Sequence, residues 1–285
     1  MYKPMRFWGT GAAGAIPTPF CKCEVCENAR RVGGKEVRFR SAFRLNEKVM
    51  IDIGADYLAQ AVRLGEDLAE VEHYLFTHLH GDHFQRNMFG IRDTSAVKPP
   101  KPMIIYFVDE AYAMAEELLA EAPRGVREEY VIFKKLEFGK TYQIDVFEVT
   151  PLRGRHSTPA DANFLVKLPD GRYMYYALDT GYYYEETVEF LENYKLDILI
   201  NECTFPMLRP HRYDHSMGHM DIQGCIDTFD MLLEKGIIMK DTEIYLSHIA
   251  GKGLNHQQLE DYFAKLERDY KVQIAYDGLS IAQDV

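Results

Sequence analysis

The chain holds one tryptophan and five cysteines in 285 residues. No apolar run approaches the roughly 20 residues that a membrane-spanning helix needs. An odd number of cysteines, three of them close together, argues against a disulfide framework and for a reducing compartment. Basic side chains are also in short supply: 33 Lys and Arg stand against 44 Asp and Glu, for a formal net charge of −11. Gripping a long nucleic acid takes clustered cations on phosphates, so this balance disfavours nucleic acid as a partner, although a local basic patch stays open. The opening MYKPMRFWGTG lacks the apolar core of a signal peptide. Internal repeats and low-complexity linkers are missing too. The expectation is a cytoplasmic protein with no membrane partner.

What is present is ample core material, with 47% hydrophobic and 13% aromatic residues. Short apolar runs bounded by turn residues predict strands at 5–9, 41–45, 49–53, 73–77, 103–107, 143–150, 163–168, 173–178, 198–201, 243–247 and 272–276. Helical periodicity falls at 57–64, 110–120, 184–193, 222–234 and 257–269. Two stacked sheets with helices outside, an α/β sandwich in a single domain over residues 1–285, fit this order.

Gly9, Gly11 and Gly14 spell the G-x-G-x-x-G of a dinucleotide loop. That loop must lead from a strand straight into a helix facing the pyrophosphate. Here Pro17 and Pro19 follow at once and oppose a helix, and RRVGGKE stands where a ribose-binding acid should end a second strand. The stretch reads as a tight turn after a strand.

The strongest signal is THLHGDH at 77–83, in which His78, His80, Asp82 and His83 follow an apolar run. Imidazole nitrogen and carboxylate oxygen in this density suit zinc, manganese or iron. This motif resembles that of the metallo-β-lactamase superfamily, and the likeness runs along nearly the whole chain. It implies a four-layer αββα sandwich with metal ligands at strand ends. RGRHST, YYALDTG and YLSHIAG supply His156, Asp179 and His248 in the family's order. By that match His78, His80 and His156 hold one divalent ion, Asp82, His83 and His248 hold a second, and Asp179 bridges them. Asp52 in MIDIG matches a strand-end carboxylate that supports the ligands.

Cys21, Cys23 and Cys26 form C-x-C-x-x-C, three thiolates of a site that takes four ligands when structural. Together with the histidine motif, the cluster resembles the PhnP-like phosphodiesterases of the carbon–phosphorus lyase pathway. That likeness implies one structural zinc, with His256 in LNHQQLEDY as the closing ligand. Cys203 and Cys225 read as buried thiols.

Two adjacent metals lower the pKa of a shared water and stabilise phosphoryl charge, and a departing alkoxide needs an acid. Related enzymes carry a Glu in an E-A-T-F-like motif and then a His. Glu202 in ECTF and His219 in GHMD match, as orienting carboxylate and general acid, with His211 and His215 as neighbouring alternatives. The likeness thus makes Asp82, Glu202 and His219 the catalytic set, beside two active-site ions (zinc or manganese, with iron allowed). Arg153, Arg155, Arg209 and Arg212 are candidates to clamp a phosphate, and the run Tyr182–Tyr184 to line the pocket. Arg30, Arg31, Arg38 and Arg40 read as a solvated face.

The leading expectation is a phosphodiesterase for a small phosphodiester, cyclic diesters included, with a homodimer allowed. A tRNA 3′-end ribonuclease is the alternative, opposed by H-M-D in place of that family's H-S-T and by the acidic charge. A metal-binding protein of oxygen chemistry, like those of pyrroloquinoline-quinone biosynthesis, is a third reading, opposed by the full histidine set.

Overall fold

Residues 4–93, 95–96, 101–120, 131–157, 160–207 and 218–282 are described in a computed structural model of the chain. Its strands are β1 (Met5–Gly9), β2 (Ala42–Arg44), β3 (Val49–Ile53), β4 (His73–Leu75), β5 (Met103–Val108), β6 (Val131–Leu136) and β7 (Tyr142–Ile144). They continue with β8 (Phe147–Arg153), β9 (Ala162–Lys167), β10 (Tyr173–Ala177), β11 (Leu196–Glu202), β12 (Ile238–Ser247), β13 (Lys271–Ile274) and β14 (Ser280–Ile281). The helices are α1 (Glu24–Val32), α2 (Tyr57–Leu64), α3 (Met88–Asp93), α4 (Asp109–Ala120), α5 (Glu185–Leu191), α6 (Ile222–Glu234) and α7 (His256–Ala264).

Two seven-stranded sheets result, ordered β14-β1-β2-β3-β4-β5-β6 and β13-β12-β11-β10-β9-β8-β7. Each is antiparallel at one end and parallel at the other: β3 to β6 run parallel in the first, β10 to β13 in the second. Their inner faces meet in an aromatic core where Phe7 packs on Phe43 and Tyr245, and Phe43 on Tyr176. The strands β3, β10, β11 and the second half of β12 are buried almost throughout, as parallel strands covered by helices must be. A second core lies on the outer side of the second sheet, under α1, α5, α6 and α7. Tyr57 of α2 and Ala111 and Ala115 of α4 pack with the first. This is the αββα sandwich expected. Among the described residues, no helix is long and apolar enough to cross a membrane.

Two local devices bear on the site. Asp221 caps α6 by accepting the Gly224 N–H at 2.8 Å. Asn255 and Gln258 close a capping box on α7, so the helix starts at His256.

The glycine-rich stretch is no nucleotide loop: after β1 the next helix begins only at Glu24. A Cβ on Gly9 would lie 1.9 Å from the Arg40 carbonyl oxygen, and one on Gly11 2.9 Å from that of Phe39. These glycines let two backbones touch. The predicted strand at 143–150 is a hairpin instead, since Ile144 pairs with Phe147 and Asp145 turns the chain at φ 50°.

Candidate metal centre

The site is built where strands end. Asp52 is the penultimate residue of β3, the 77–83 loop follows β4, His156 follows β8, Asp179 follows β10, Glu202 closes β11, and His248 follows β12. Asp52, Asp179 and His248 all adopt positive φ, at 59°, 48° and 52°. A left-handed conformation in a non-glycine residue costs about 1–3 kcal/mol, so the fold spends strain on aiming these three side chains.

Two overlapping groups of donors meet: His78, His80, His156 and Asp179, and Asp82, His83, Asp179 and His248. Asp179 belongs to both. Its Oδ2 lies 3.2 Å from the Nε2 atoms of His78 and His83 and 3.5 Å from that of His156, and its Oδ1 lies 2.7 Å from His248 Nε2. Asp82 Oδ2 stands 3.5 Å from His83 Nε2 and 3.4 Å from His248 Nε2. His80 joins through its other nitrogen, Nδ1, at 3.0 Å from His78 Nε2 and 3.1 Å from His156 Nε2.

Hydrogen bonds behind the rings decide which nitrogen faces inward. Thr77 Oγ1 donates to Asp52, so it accepts from His78 Nδ1 at 3.0 Å. Thr204 Oγ1 donates to Glu202 in the same way and accepts from His248 Nδ1 at 2.8 Å. His83 Nδ1 donates to Asp52 at 2.7 Å, and His156 Nδ1 to the Gly218 carbonyl at 3.1 Å. Each of these four rings therefore carries its proton outside and turns an Nε2 lone pair into the cluster. The inner nitrogens of His83 and His248 are 3.2 Å apart. Lone pairs so close, with two carboxylates among them, have the donor chemistry of a divalent-metal site, and among the described residues Asp179 Oδ1 makes no well-aligned hydrogen bond that would fill its need otherwise.

The field has the matching sign. Burial disfavours a charged His248 ring, yet Asp179 and Asp82 outweigh it and push its pKa up to about 9. His83 goes the same way, with Asp179 and Asp52 overcoming its burial. Conversely, His248 and His83 hold the Asp179 carboxyl far below the usual range despite burial. A cation in this field stabilises the folded chain by binding it alone: at a thousandfold excess over its Kd, the linkage is on the order of 4 kcal/mol. Stripping the protein with a chelator and adding zinc or manganese should raise its Tm by several degrees. An unchanged Tm would mean the donors hold no ion.

His219 leans over this cluster, with ring centroids 4.6 Å from His156 and 5.8 Å from His248. Its Nδ1 lies 3.2 Å from Glu202 Oε2, and the fully buried Glu202 is fixed by the N–H groups of Thr180 (2.6 Å) and Met220 (3.2 Å). Burial works against protonation of His219, but Glu202 outweighs it and raises the pKa. The result is a positioned imidazole biased toward its protonated form.

A cavity of about 460 Å³ opens beside these groups, lined in part by His80, Asp82, His219 and Lys252. Ala12, Ala13 and Gly14 form another wall. The sequence reading missed them, along with Thr77 and Thr204; a Thr directly before the histidine motif and another two residues after Glu202 were the available signals. Gly54 has a tight neighbour: a Cβ there would fall 2.2 Å from the Asp82 carbonyl oxygen. Gly54→Ala should therefore push the 77–83 loop away, costing about 1–3 kcal/mol in denaturant unfolding and weakening metal binding. Wild-type stability and metal content would show that the loop position is not set there.

Several expectations need correction. His256 does not join the cysteines. Arg38 donates to its Nδ1 at 2.7 Å, its Nε2 faces Glu260 at 3.0 Å, and its backbone N–H is held by Glu36, so α7 carries the ring into a different cluster. Arg38 itself is buried, bonding Thr10 and the Ala275 carbonyl, and is no part of a solvated face. Arg40 is half-buried against Asp56, while Arg30 and Arg31 are exposed. Arg153 lies over Phe138 and Arg155 over Tyr184, so both are spent on packing instead of lining the cavity. Tyr182 and Tyr183 bond Asp227 and Asn201, and none of the three tyrosines lines it. Cys203 and Cys225 are buried as expected, with Cys225 donating to the Glu202 carbonyl. Arg209, Arg212, His211 and His215 lie outside the described residues.

The family model described as "Beta-lactamase superfamily domain" matches residues 47–248. No curated protein sequence matches the chain. Among solved structures, a diphosphatase from the PhnP family is similar over 100% of this chain and 99% of its own, at 18% identity and a TM-score of 0.75. Zinc-bound PqqB from Methylobacterium extorquens covers 99% of this chain and 100% of its own, at 16% identity and a TM-score of 0.76. The short form of human tRNase Z covers all of both chains at 19% identity, with a TM-score of 0.66. At these identities the likeness establishes the metallo-β-lactamase fold.

Proposed function

The chain belongs to the beta-lactamase superfamily, and on that footing we propose that it is a metal-dependent phosphodiesterase acting on a small phosphodiester, cyclic diesters included. The observation that carries this reading is the His219–Glu202 pair, 3.2 Å between Nδ1 and Oε2, set beside the donor cluster. A general acid at this place can protonate the alkoxide that an alkyl phosphodiester must expel. A pair of divalent ions held by His78, His80, His156, Asp82, His83, His248 and Asp179 would supply an activated water and charge neutralisation for the phosphoryl group.

The chain's own residues do the rest. Glu202 orients the His219 ring and favours its protonated form, so that the ring can hold a proton over the cleft for the leaving oxygen. Thr77, Asp52 and Thr204 keep the ligand rings in the tautomers that face the cavity. A cavity of about 460 Å³ is the size of a small-molecule site. The PhnP-family diphosphatase, similar over its full length, lends support for chemistry at phosphorus. Five free cysteines suit action in a reducing cytoplasm, and the reading takes residues 1–285 as one hydrolase domain.

The deciding experiment is a screen of metal-supplemented enzyme against alkyl and cyclic phosphodiesters, lactones, thioesters and precursor tRNA. Small diesters should turn over fastest. Faster processing of precursor tRNA, to which the similar human tRNase Z would point, or turnover of carbonyl esters alone would overturn the substrate class.

A further inference from the structure

The two donor groups that share Asp179 are built unequally. Asp82, His83, Asp179 and His248 are all buried, and two of the four are carboxylates. The outer nitrogen of His83 meets the Asp52 carboxylate at 2.7 Å, and that of His248 meets Thr204, which Glu202 holds in turn. The other group sets one carboxylate, Asp179, against three imidazoles, and its His80 is exposed on the cavity wall. Affinity for a divalent cation follows the charge count of its ligands and the rigidity of the site. On both counts the buried group is the stronger.

His80 also differs in how it is held. It turns Nδ1 toward the Nε2 atoms of His78 and His156, at 3.0 and 3.1 Å, so a cation bound there leaves the ring proton on Nε2. That Nε2 stands 3.3 Å from the Oγ of Ser157, an exposed residue directly after the ligand His156. The segment carrying both is stapled to the loop after Asp179. The Arg155 N–H donates to Thr180 Oγ1 at 3.0 Å, and the Arg155 carbonyl accepts from the Gly181 N–H at 2.7 Å. Ser157 thus rides on backbone tied to the loop of the shared carboxylate.

We propose that two divalent ions are held unequally, one resident on Asp82, His83 and His248 and one exchangeable on His78, His80 and His156, with Ser157 as the positioning residue that sets the affinity of the second. This rests on the reading of the donor cluster as a site for two ions and is independent of which ester is cleaved. The Ser157 hydroxyl accepts the Nε2 proton and fixes both the tautomer and the angle of the exposed ring. Without it, the weaker group keeps two oriented imidazoles instead of three.

Manganese(II) titrated into the metal-stripped full chain tests this, read by the electron paramagnetic resonance of the unbound ion. Manganese suits carboxylate and imidazole donors better than thiolates, so the cysteines stay out of the titration. The wild type should take up two ions per chain in two steps, at least about tenfold apart in Kd. Ser157→Ala should weaken the second step roughly 10–100-fold and spare the first. Ser157→Thr, which keeps the hydroxyl, should restore it. His80→Ala should erase the second step alone, and Asp82→Ala should weaken the first. Two steps of equal affinity, or fewer than two ions per chain, would overturn the proposal. So would an unchanged second step in Ser157→Ala, or loss of the tighter step in His80→Ala. No substrate is present, so a wrong ester assignment would show in the substrate screen and leave these readouts in place.

Discussion

Asp179→Ala should abolish hydrolysis of alkyl and aryl phosphodiesters alike, by at least about 10⁴-fold in kcat/KM, since the proposed mechanism makes Asp179 the ligand that both ions share. Its two oxygens stand within 3.5 Å of inner nitrogens from four histidines drawn from three parts of the chain. Without that carboxylate, the imidazoles of both donor groups face one another with half the anionic charge gone, and bound metal should drop by roughly two ions per chain. Asp179→Asn separates shape from charge: the amide keeps the volume and should lose nearly as much activity. Elemental analysis beside kinetics checks both. A variant that keeps its metals and a tenth of its rate would show that Asp179 is not the shared ligand.

His219→Ala should split two substrates. For an alkyl diester, whose leaving oxygen must be protonated, turnover should fall roughly 10²–10⁴-fold. For bis(p-nitrophenyl) phosphate, whose phenolate leaves readily, it should barely change. Added imidazole should restore part of the alkyl activity by entering the space the ring vacates. Because Glu202 raises the pKa of His219, the wild-type alkyl activity should be lost as pH rises through that raised pKa, whereas the aryl activity should not share that limb. Equal losses on both esters would make His219 a positioning residue, held in place by Glu202 but not giving up its proton.

Much of this was legible in the chain because it is local. The strands 5–9 and 49–53 and the helices 57–64 and 222–234 were read with the bounds the structure gives them, each being a clean period between turn residues. Other elements hid. The strand Val131–Leu136 lies at a sheet edge and exposes Lys134 and Lys135, so its apolar alternation is broken. The hairpin at Asp145 carries no glycine to mark its turn, and the helix Glu24–Val32 is short and largely charged, with only Val25, Cys26 and Ala29 buried.

What the sequence determined by itself was the donor inventory: histidine and aspartate at six residues' span in THLHGDH, and His156, Asp179 and His248 each after a strand-like run. Ligand residues at strand ends reveal themselves because a strand's apolar period must stop where polar chemistry starts. Tertiary structure alone decided how those donors are used. Which ring nitrogen faces inward depends on Thr77, Asp52, Thr204 and the Gly218 carbonyl, contributed by segments up to 62 residues away. Whether His256 meets the thiols or a buried arginine depends on Arg38, which lies 218 residues before it. No spacing rule carries such pairings, since a residue's partner across the fold is set by how the two sheets stack and not by its neighbours in the chain.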